Sequence, residues 1–425
     1  MPRSKKYGVV GLILLIIAAL AILSNIPLLY GYLNQRPGLR FMGIIAGVRD
    51  SNFYFMMMRQ ADGWWPVLTN YFAPGEPNRI YHGFFWFFLG KLARAFGTGG
   101  LAPYHGARLA AIIVFVPVAY YFVSRFLRTT AERVTALIML SFGAGLGWIQ
   151  LIRYYRTGSM SFTPTDIGTP EASSFFTLMT FPHLAIALIL IMLCFSLVQD
   201  SVARKNTWPA LIAGMCGFVL GFIHAVNLVV IYVALAAFAL ISLVFLKEKR
   251  PILAALAFGA LSVWPIAYYA YVSLTRPDLL PQAPVRSSTP LEYLIGFAPF
   301  VILSLIHIGS LVRKRSLPKE DLLLICWAVT NSLMLYSYPV LSQEARAVLG
   351  LQLPLVVLSS RAIFGSILPW LGLDWQTASV SGKSHFFWEQ ADVQALGSQD
   401  TIQIIARSPT EEFRLEDDEE EEAVR

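Results

Sequence analysis

The sequence predicts an all-α polytopic membrane protein of about ten transmembrane helices, with a large first outer loop that holds interface helices. Three observations predict it. Hydrophobic residues make up 56% of the 425 positions and charged residues only 14%. A soluble domain carries about 25% charge and has no core large enough for so much apolar surface. Apolar runs of about 17–25 residues, the length that crosses a bilayer, recur along the chain. The lysines and arginines between them gather in short loops that fall on one side.

In chain order the runs lie at 7–32, 106–124, 132–152, 182–199, 209–224, 227–246, 251–273, 291–312, 322–341 and 347–368. The first follows Met-Pro-Arg-Ser-Lys-Lys. It is too long for a signal-peptide core and lacks a small-residue cleavage site, so it is expected to be an uncleaved anchor. Residues 209–246 are continuous but too long for one crossing, and His224-Ala-Val-Asn227 is their only polar break and the expected hairpin turn. Orientation follows from charge. Arg3, Lys5 and Lys6; Arg125, Arg128 and Arg133; Arg204 and Lys205; Lys247, Lys249 and Arg250; and Arg313, Lys314, Arg315 and Lys319 share the inner side only if 80–97 does not cross. That segment mixes Lys91 and Arg94 with Phe, Trp and Leu, which suits a helix lying in the interface. Both termini are then cytoplasmic, residues 1–368 form the transmembrane domain, and the first outer loop covers 33–105. Residues 369–425 form a tail that ends in Glu416-Asp-Asp-Glu-Glu-Glu-Glu422, a like-charge block expected to be solvated and disordered. Residues 400–406 alternate weakly, as a short strand would.

The net charge of +7 conceals a split, because 411–425 hold nine acids against two arginines and the remainder carries twice that surplus. Such an excess suits anionic lipid headgroups or phosphate substrates. It does not suit nucleic acid, since the basic residues are spread over short loops rather than one patch. The cysteines Cys194, Cys216 and Cys326 fall inside apolar runs, which argues against a disulfide framework or a zinc site.

Candidate chemistry collects in the outer loops. Asp50 leads: it follows the first span, beside Phe53, Tyr54 and Phe55, with Arg49 and Arg59 near it in sequence. Partial desolvation and neighbouring cations adjust the basicity of such a carboxylate, as a general base requires. The plainer role for Asp50 is a helix N-cap, and the two are compatible. Asp62-Gly-Trp-Trp-Pro66 is best explained as a turn with interfacial tryptophans, and Glu76 and Arg79 as loop residues. Asp166 and Glu171 are two further outward carboxylates, and His183 opens the span after Phe181-Pro182. A histidine there either contacts a phosphate or packs at the interface. Arg346 begins the last span, where it grips a phosphate bidentately, snorkels, or pairs with Glu344. His82, His105 and His183 have no ligand spacing, so no metal site is assigned. Gly143-x-Gly145-x-Gly147 lies in an expected span with no strand before it, which indicates close helix packing rather than nucleotide binding. Walker, G-x-S-x-G and H-E-x-x-H motifs do not occur.

Asp50, Tyr54, Arg59 and Asp62-Gly63, then an interface helix ending in Phe96-Gly97, then a span opening Gly106-Ala-Arg108-Leu-Ala, resemble the GT-C class of membrane glycosyltransferases. Members of the mannosyl- and arabinosyl-transferase type take sugars from polyprenyl-phosphate donors. The similarity is strongest over 7–125, with weaker echoes at Phe181-Pro182-His183 and Glu344-Ala-Arg346. The resemblance implies that Asp50 is the catalytic base, activating an acceptor hydroxyl for inverting attack on the anomeric carbon. It implies substrate-binding roles for Arg49, Tyr54, Arg59, His183 and Arg346, with the donor phosphate on Arg346 and His183. The partners implied are a polyprenyl-phosphate-sugar donor and membrane lipids, with no nucleic acid, in a plasma membrane that holds a polyprenyl carrier pool. No acid adjoins Asp50 in an Asp-x-Asp pattern, so metal dependence is left open: no cofactor is assigned, and a divalent metal stays an open possibility. A large soluble outer domain after the last span, as an acceptor-binding module, is not expected. The alternatives are a non-enzymatic transporter or lipid-scrambling protein, which would show internal repeats and charge at mid-membrane, and a non-catalytic relative acting as an assembly partner. No two-fold repeat is visible, and the charges cluster outside the expected spans.

Overall fold

The computed structural model describes residues 3–69, 71, 79–81, 83–275 and 284–373. The acidic block, the 400–406 segment, Glu76 and His82 lie outside the described residues. The first helix, α1, runs from Arg3 to Leu33. Its residues Ile16, Leu20, Ser24 and Leu28 recur every four positions and are buried, while Leu14, Leu15, Ile22 and Leu29 are exposed. One narrow stripe therefore meets protein, and an apolar surface remains for lipid.

The first loop then builds α2 (Val48–Arg59), a two-stranded antiparallel ladder of β1 (Val67–Thr69) and β2 (Arg79–Tyr81), and α3 (Phe84–Ala95). Helix α3 has 12 residues, about 18 Å of length, too short to cross a bilayer. It packs instead on α2, where Gly90 lies so close that an added Cβ would stand 2.2 Å from the Met58 carbonyl oxygen. Between them, Trp64 and Trp65 are exposed, and Asp62 is ion-paired with Arg94.

Helix α4 (Leu101–Phe126) opens the bundle, so the first loop closes at Gly100 rather than at 105. Arg108 on α4 is fully buried and reaches α1, donating to Ser24 Oγ at 3.0 Å and Asn25 Oδ1 at 2.5 Å. Helix α5 (Thr130–Phe142) begins with a capping box between Thr129 and Glu132. It stops at Gly143, and the amphipathic α6 (Trp148–Thr157) starts afresh. The expected span 132–152 is thus broken, because its three glycines form an irregular turn rather than a helix seam. That turn is tightly packed: a Cβ on Gly145 would lie 2.0 Å from the Gly296 carbonyl oxygen, and the Gly143 carbonyl accepts from Gln352 Nε2 at 2.9 Å.

After the short α7 (Thr165–Gly168), a 3-10 turn at Pro170–Ala172 and α8 (Ser174–Thr180) comes α9 (Pro182–Arg204), the most enclosed long helix. It packs against α4 and α10 (Trp208–Ile223). The chain breaks at His224 alone before α11 (Ala225–Phe245), at the polar break where a turn is expected. Next come α12 (Arg250–Thr275), α13 (Pro290–Gly296), α14 (Ala298–Lys314), α15 (Lys319–Met334) and α16 (Gln352–Ala362). A π-helical turn and α17 (Leu368–Trp370) finish the described chain.

Among the described residues, six helical stretches, counting Glu344–Trp370 as one continuous stretch, are long and apolar enough to cross a membrane, or seven if α13 and α14, bent by 83°, form one span. The expected count of ten exceeds this because 132–152, 209–224 and 322–341 hold helices of only 13, 16 and 16 residues. The chain is a multi-pass, all-α membrane protein apart from the small ladder in the first loop. Charge does not stay wholly outside the expected spans: Arg361, within 347–368, pairs at 2.5 Å with Asp321, which is 1% exposed just before 322–341 and accepts from His307 Nε2 at 3.1 Å, joining α14, α15 and α16.

Candidate active site

Helix α2 sets the position of Asp50. Its N-cap is Gly47, at φ 61° and ψ 45°. Asp50 therefore sits in the first turn and is not the cap, and no side-chain capping bond forms. Its carboxylate is exposed at the positive end of the helix dipole. Tyr54 lies one turn on, on the same face. Its hydroxyl meets His183 Nε2 at 3.3 Å, and its ring stacks on Trp86 at 4.1 Å between centroids. Trp86 and Phe181 also flank His183, at 5.0 and 5.7 Å. His183 is buried in the first turn of α9. Aromatic packing between the first loop and α9 thus presses Tyr54 onto His183.

Arg346 arrives from the far end of the chain on the 3-10 turn Glu344–Val348. Two asparagines pin that turn: Asn331 Nδ2 donates to the Ala347 carbonyl at 2.8 Å, and Asn227 Nδ2 donates to the Leu349 carbonyl at 2.7 Å. Glu344 is not the partner of Arg346. Its carboxylate is buried and accepts from the backbone N–H of Tyr338 at 2.7 Å and of Ser287 at 3.4 Å. The Arg346 Nε is buried without a hydrogen-bond partner among the described residues.

Electrostatics ties these groups together. Burial pushes the Tyr54 phenol up, Arg346 pulls it down, and Asp50 and Glu171 add to the rise. The Glu171 carboxyl is likewise pushed up by burial, lowered by Arg346 and raised by Asp50. Arg346 also acts on both His183 and His224. Asp50, Tyr54, Glu171, His183, His224 and Arg346 therefore share one neighbourhood, brought together from five separate chain segments.

Of the six expected site residues, Asp50, Tyr54, His183 and Arg346 converge there. Arg49 is exposed at the start of α2. Arg59 ends that helix, about 14 Å further along and on the face opposite Asp50. Its carbonyl accepts from Arg94. The two loop carboxylates separate as well: Glu171 joins the site, while Asp166 is buried and accepts from the Gly147 N–H at 3.1 Å, holding the glycine turn. Burial pushes the Asp166 carboxyl up, and that N–H opposes the rise. His224 was visible in the sequence only as a turn; the available signal was a lone imidazole between two apolar runs. Among the described residues, no group of three or more His, Cys, Asp or Glu is arranged to hold a metal ion.

No family model matches the chain, and no curated protein matches it. Two solved structures are similar in part. One is the oligosaccharyltransferase of Archaeoglobus fulgidus in complex with zinc and sulfate, at 11% identity and a TM-score of 0.47, covering 84% of this chain and 49% of that one. The other is ArnT from Cupriavidus metallidurans bound to undecaprenyl phosphate, at 13% identity and a TM-score of 0.47, covering 88% of this chain and 63% of that one. The chain spans about half to two thirds of the length of these structures.

Proposed function

We propose that the protein is an integral-membrane glycosyltransferase of the GT-C type. In this reading it moves a sugar from a polyprenyl-phosphate-linked donor to an acceptor hydroxyl at the outer face of a plasma membrane, with both termini cytoplasmic. One observation carries the reading: Asp50, on a first-loop helix, lies one turn from Tyr54, whose phenol is hydrogen-bonded to the buried His183 and feels the charge of Arg346. Arg346 and His183 hold the donor phosphate, and the lipid tail lies along the apolar helix faces. Asp50 accepts the proton of the acceptor hydroxyl as that oxygen attacks the anomeric carbon. The bond from that carbon to the phosphate oxygen breaks with inversion, and the polyprenyl phosphate leaves on Arg346. Tyr54 holds His183 in place by the hydrogen bond between them.

The test is transfer from a polyprenyl-phosphate-sugar in reconstituted membranes. Asp50→Asn is expected to abolish transfer while insertion and thermal stability stay at wild-type values; full activity in that variant removes Asp50 from its role. A second reading, a transporter, draws on the 83° break between α13 and α14 and on the buried Asp321 cluster. Substrate flux across sealed vesicles without sugar transfer would favour it.

A further inference from the structure

Resting on the donor reading above, we propose that His224 is a third phosphate-binding residue, completing with Arg346 and His183 a cradle for a phosphoryl oxyanion. His224 is 6% exposed, and neither ring nitrogen has a hydrogen-bond partner among the described residues. An imidazole carries a proton on at least one nitrogen in every protonation state, so a buried N–H stands unpaired here. Leaving such a group unsatisfied costs about 1–3 kcal/mol, and native structures rarely do so without a ligand or water. Among the described residues, the orphans around it include two more nitrogens, His183 Nδ1 and Arg346 Nε, beside the amide oxygens Asn227 Oδ1 and Asn331 Oδ1. His183, His224 and Arg346 come from three separate parts of the chain and interact electrostatically. Among the described residues, no carboxylate or hydroxyl of the protein accepts from any of these unpaired nitrogens. A ligand that presents several acceptor oxygens to donors from different directions is a phosphoryl group.

The backbone keeps His224 in place. It is the single residue between α10 and α11, at φ −152° and ψ 77°, with its N–H on the Leu220 carbonyl at 2.6 Å and its carbonyl taking the Asn227 N–H at 3.2 Å. Asn227 is the residue that pins the Leu349 carbonyl, so the His224 break and the Arg346 turn are fastened to each other. The unpaired N–H groups at the start of the 21-residue α11 add a positive dipole end at the same place.

The experiment titrates the purified full-length protein with three probes: polyprenyl phosphate, polyprenol and inorganic phosphate. Wild type is expected to prefer polyprenyl phosphate to polyprenol. His224→Ala weakens polyprenyl-phosphate binding by about tenfold to a hundredfold and leaves polyprenol binding unchanged. His224→Gln, which restores an N–H donor, recovers most of the loss. Two results overturn the assignment: His224→Ala binding polyprenyl phosphate as wild type does, or both variants losing polyprenol in equal proportion, which marks a purely structural role. His224-dependent binding of inorganic phosphate as tight as that of the lipid overturns the lipid source and makes the free ion the occupant. If wild type does not distinguish polyprenyl phosphate from polyprenol, the donor reading itself fails. If Arg346→Ala removes that preference and His224→Ala does not, the donor reading stands and His224 drops out.

Discussion

Replacing Gly47 with alanine probes how the first loop aims Asp50. Gly47 is in the left-handed region, at φ 61°, and a Cβ there would stand 2.3 Å from Phe181 Cζ and 3.1 Å from its Cε1. The left-handed conformation costs an alanine about 1–2 kcal/mol. Overpacking against a buried ring adds about 1–3 kcal/mol. Gly38 supplies the control, with φ 78° and nothing within 4 Å of an added Cβ, so Gly38→Ala carries the conformational cost alone. Gly47→Ala is therefore expected to lower unfolding stability by about 1–3 kcal/mol more than Gly38→Ala does. It should also lower transfer activity, because Phe181 flanks His183 and Asp50 follows Gly47 by less than a turn. Thermal or denaturant unfolding of the two variants in detergent, beside the transfer assay, gives the comparison. Adding Phe181→Ala to Gly47→Ala should return part of the loss, with a coupling of about 1 kcal/mol or more. Equal costs at Gly38 and Gly47 with no coupling to Phe181 would refute the packing account of how α2 is placed.

Other consequences are as direct. Tyr54→Phe keeps the stack on Trp86 but removes the hydrogen bond to His183. Donor binding should weaken by about fivefold, a loss near 1 kcal/mol, with little change in unfolding temperature. Asp321→Ala strands Arg361 and His307 in the bundle and should destabilise the protein by about 3–5 kcal/mol, whereas Asp321→Ala with Arg361→Met should cost less. Denaturant titration of both variants checks it, and an equal or larger loss in the pair contradicts it. Lys319, donating at 2.6 Å, holds the Glu248 carboxyl below the usual carboxylate range. A depressed value in the folded state contributes stability above the ordinary glutamate value of about 4.3 and loses it as pH falls through the folded one. Stability measured from pH 6 downward should show a weaker acid-side decline in Lys319→Met than in wild type.

Much of the fold was legible because lipid imposes local rules. Each expected apolar run holds a helix, and 80–97 holds only the 12-residue α3, too short to cross. Where the reading failed, the cause was non-local. The run 132–152 looks continuous in hydropathy, yet it breaks because Gly145 has to admit the Gly296 carbonyl and Gly147 the Asp166 carboxylate. Asp50 looked like an N-cap by composition, but the glycine three residues earlier takes that position because Phe181 leaves no room for a side chain. Glu344 looked like a partner for Arg346 two residues away, and it turns instead to the backbone of Tyr338.

The amino-acid order alone determined a membrane solvent, a short interface helix, and a carboxylate one helical turn ahead of a tyrosine. Composition and helical periodicity suffice for these, since every backbone polar group in lipid has to be satisfied within its own segment. Tertiary structure decided which runs are long enough to span, and that His183, His224 and Arg346 leave nitrogens unpaired among the described residues. Those outcomes depend on side chains meeting across about 300 positions of chain, where packing between helices, not local sequence, sets the distance.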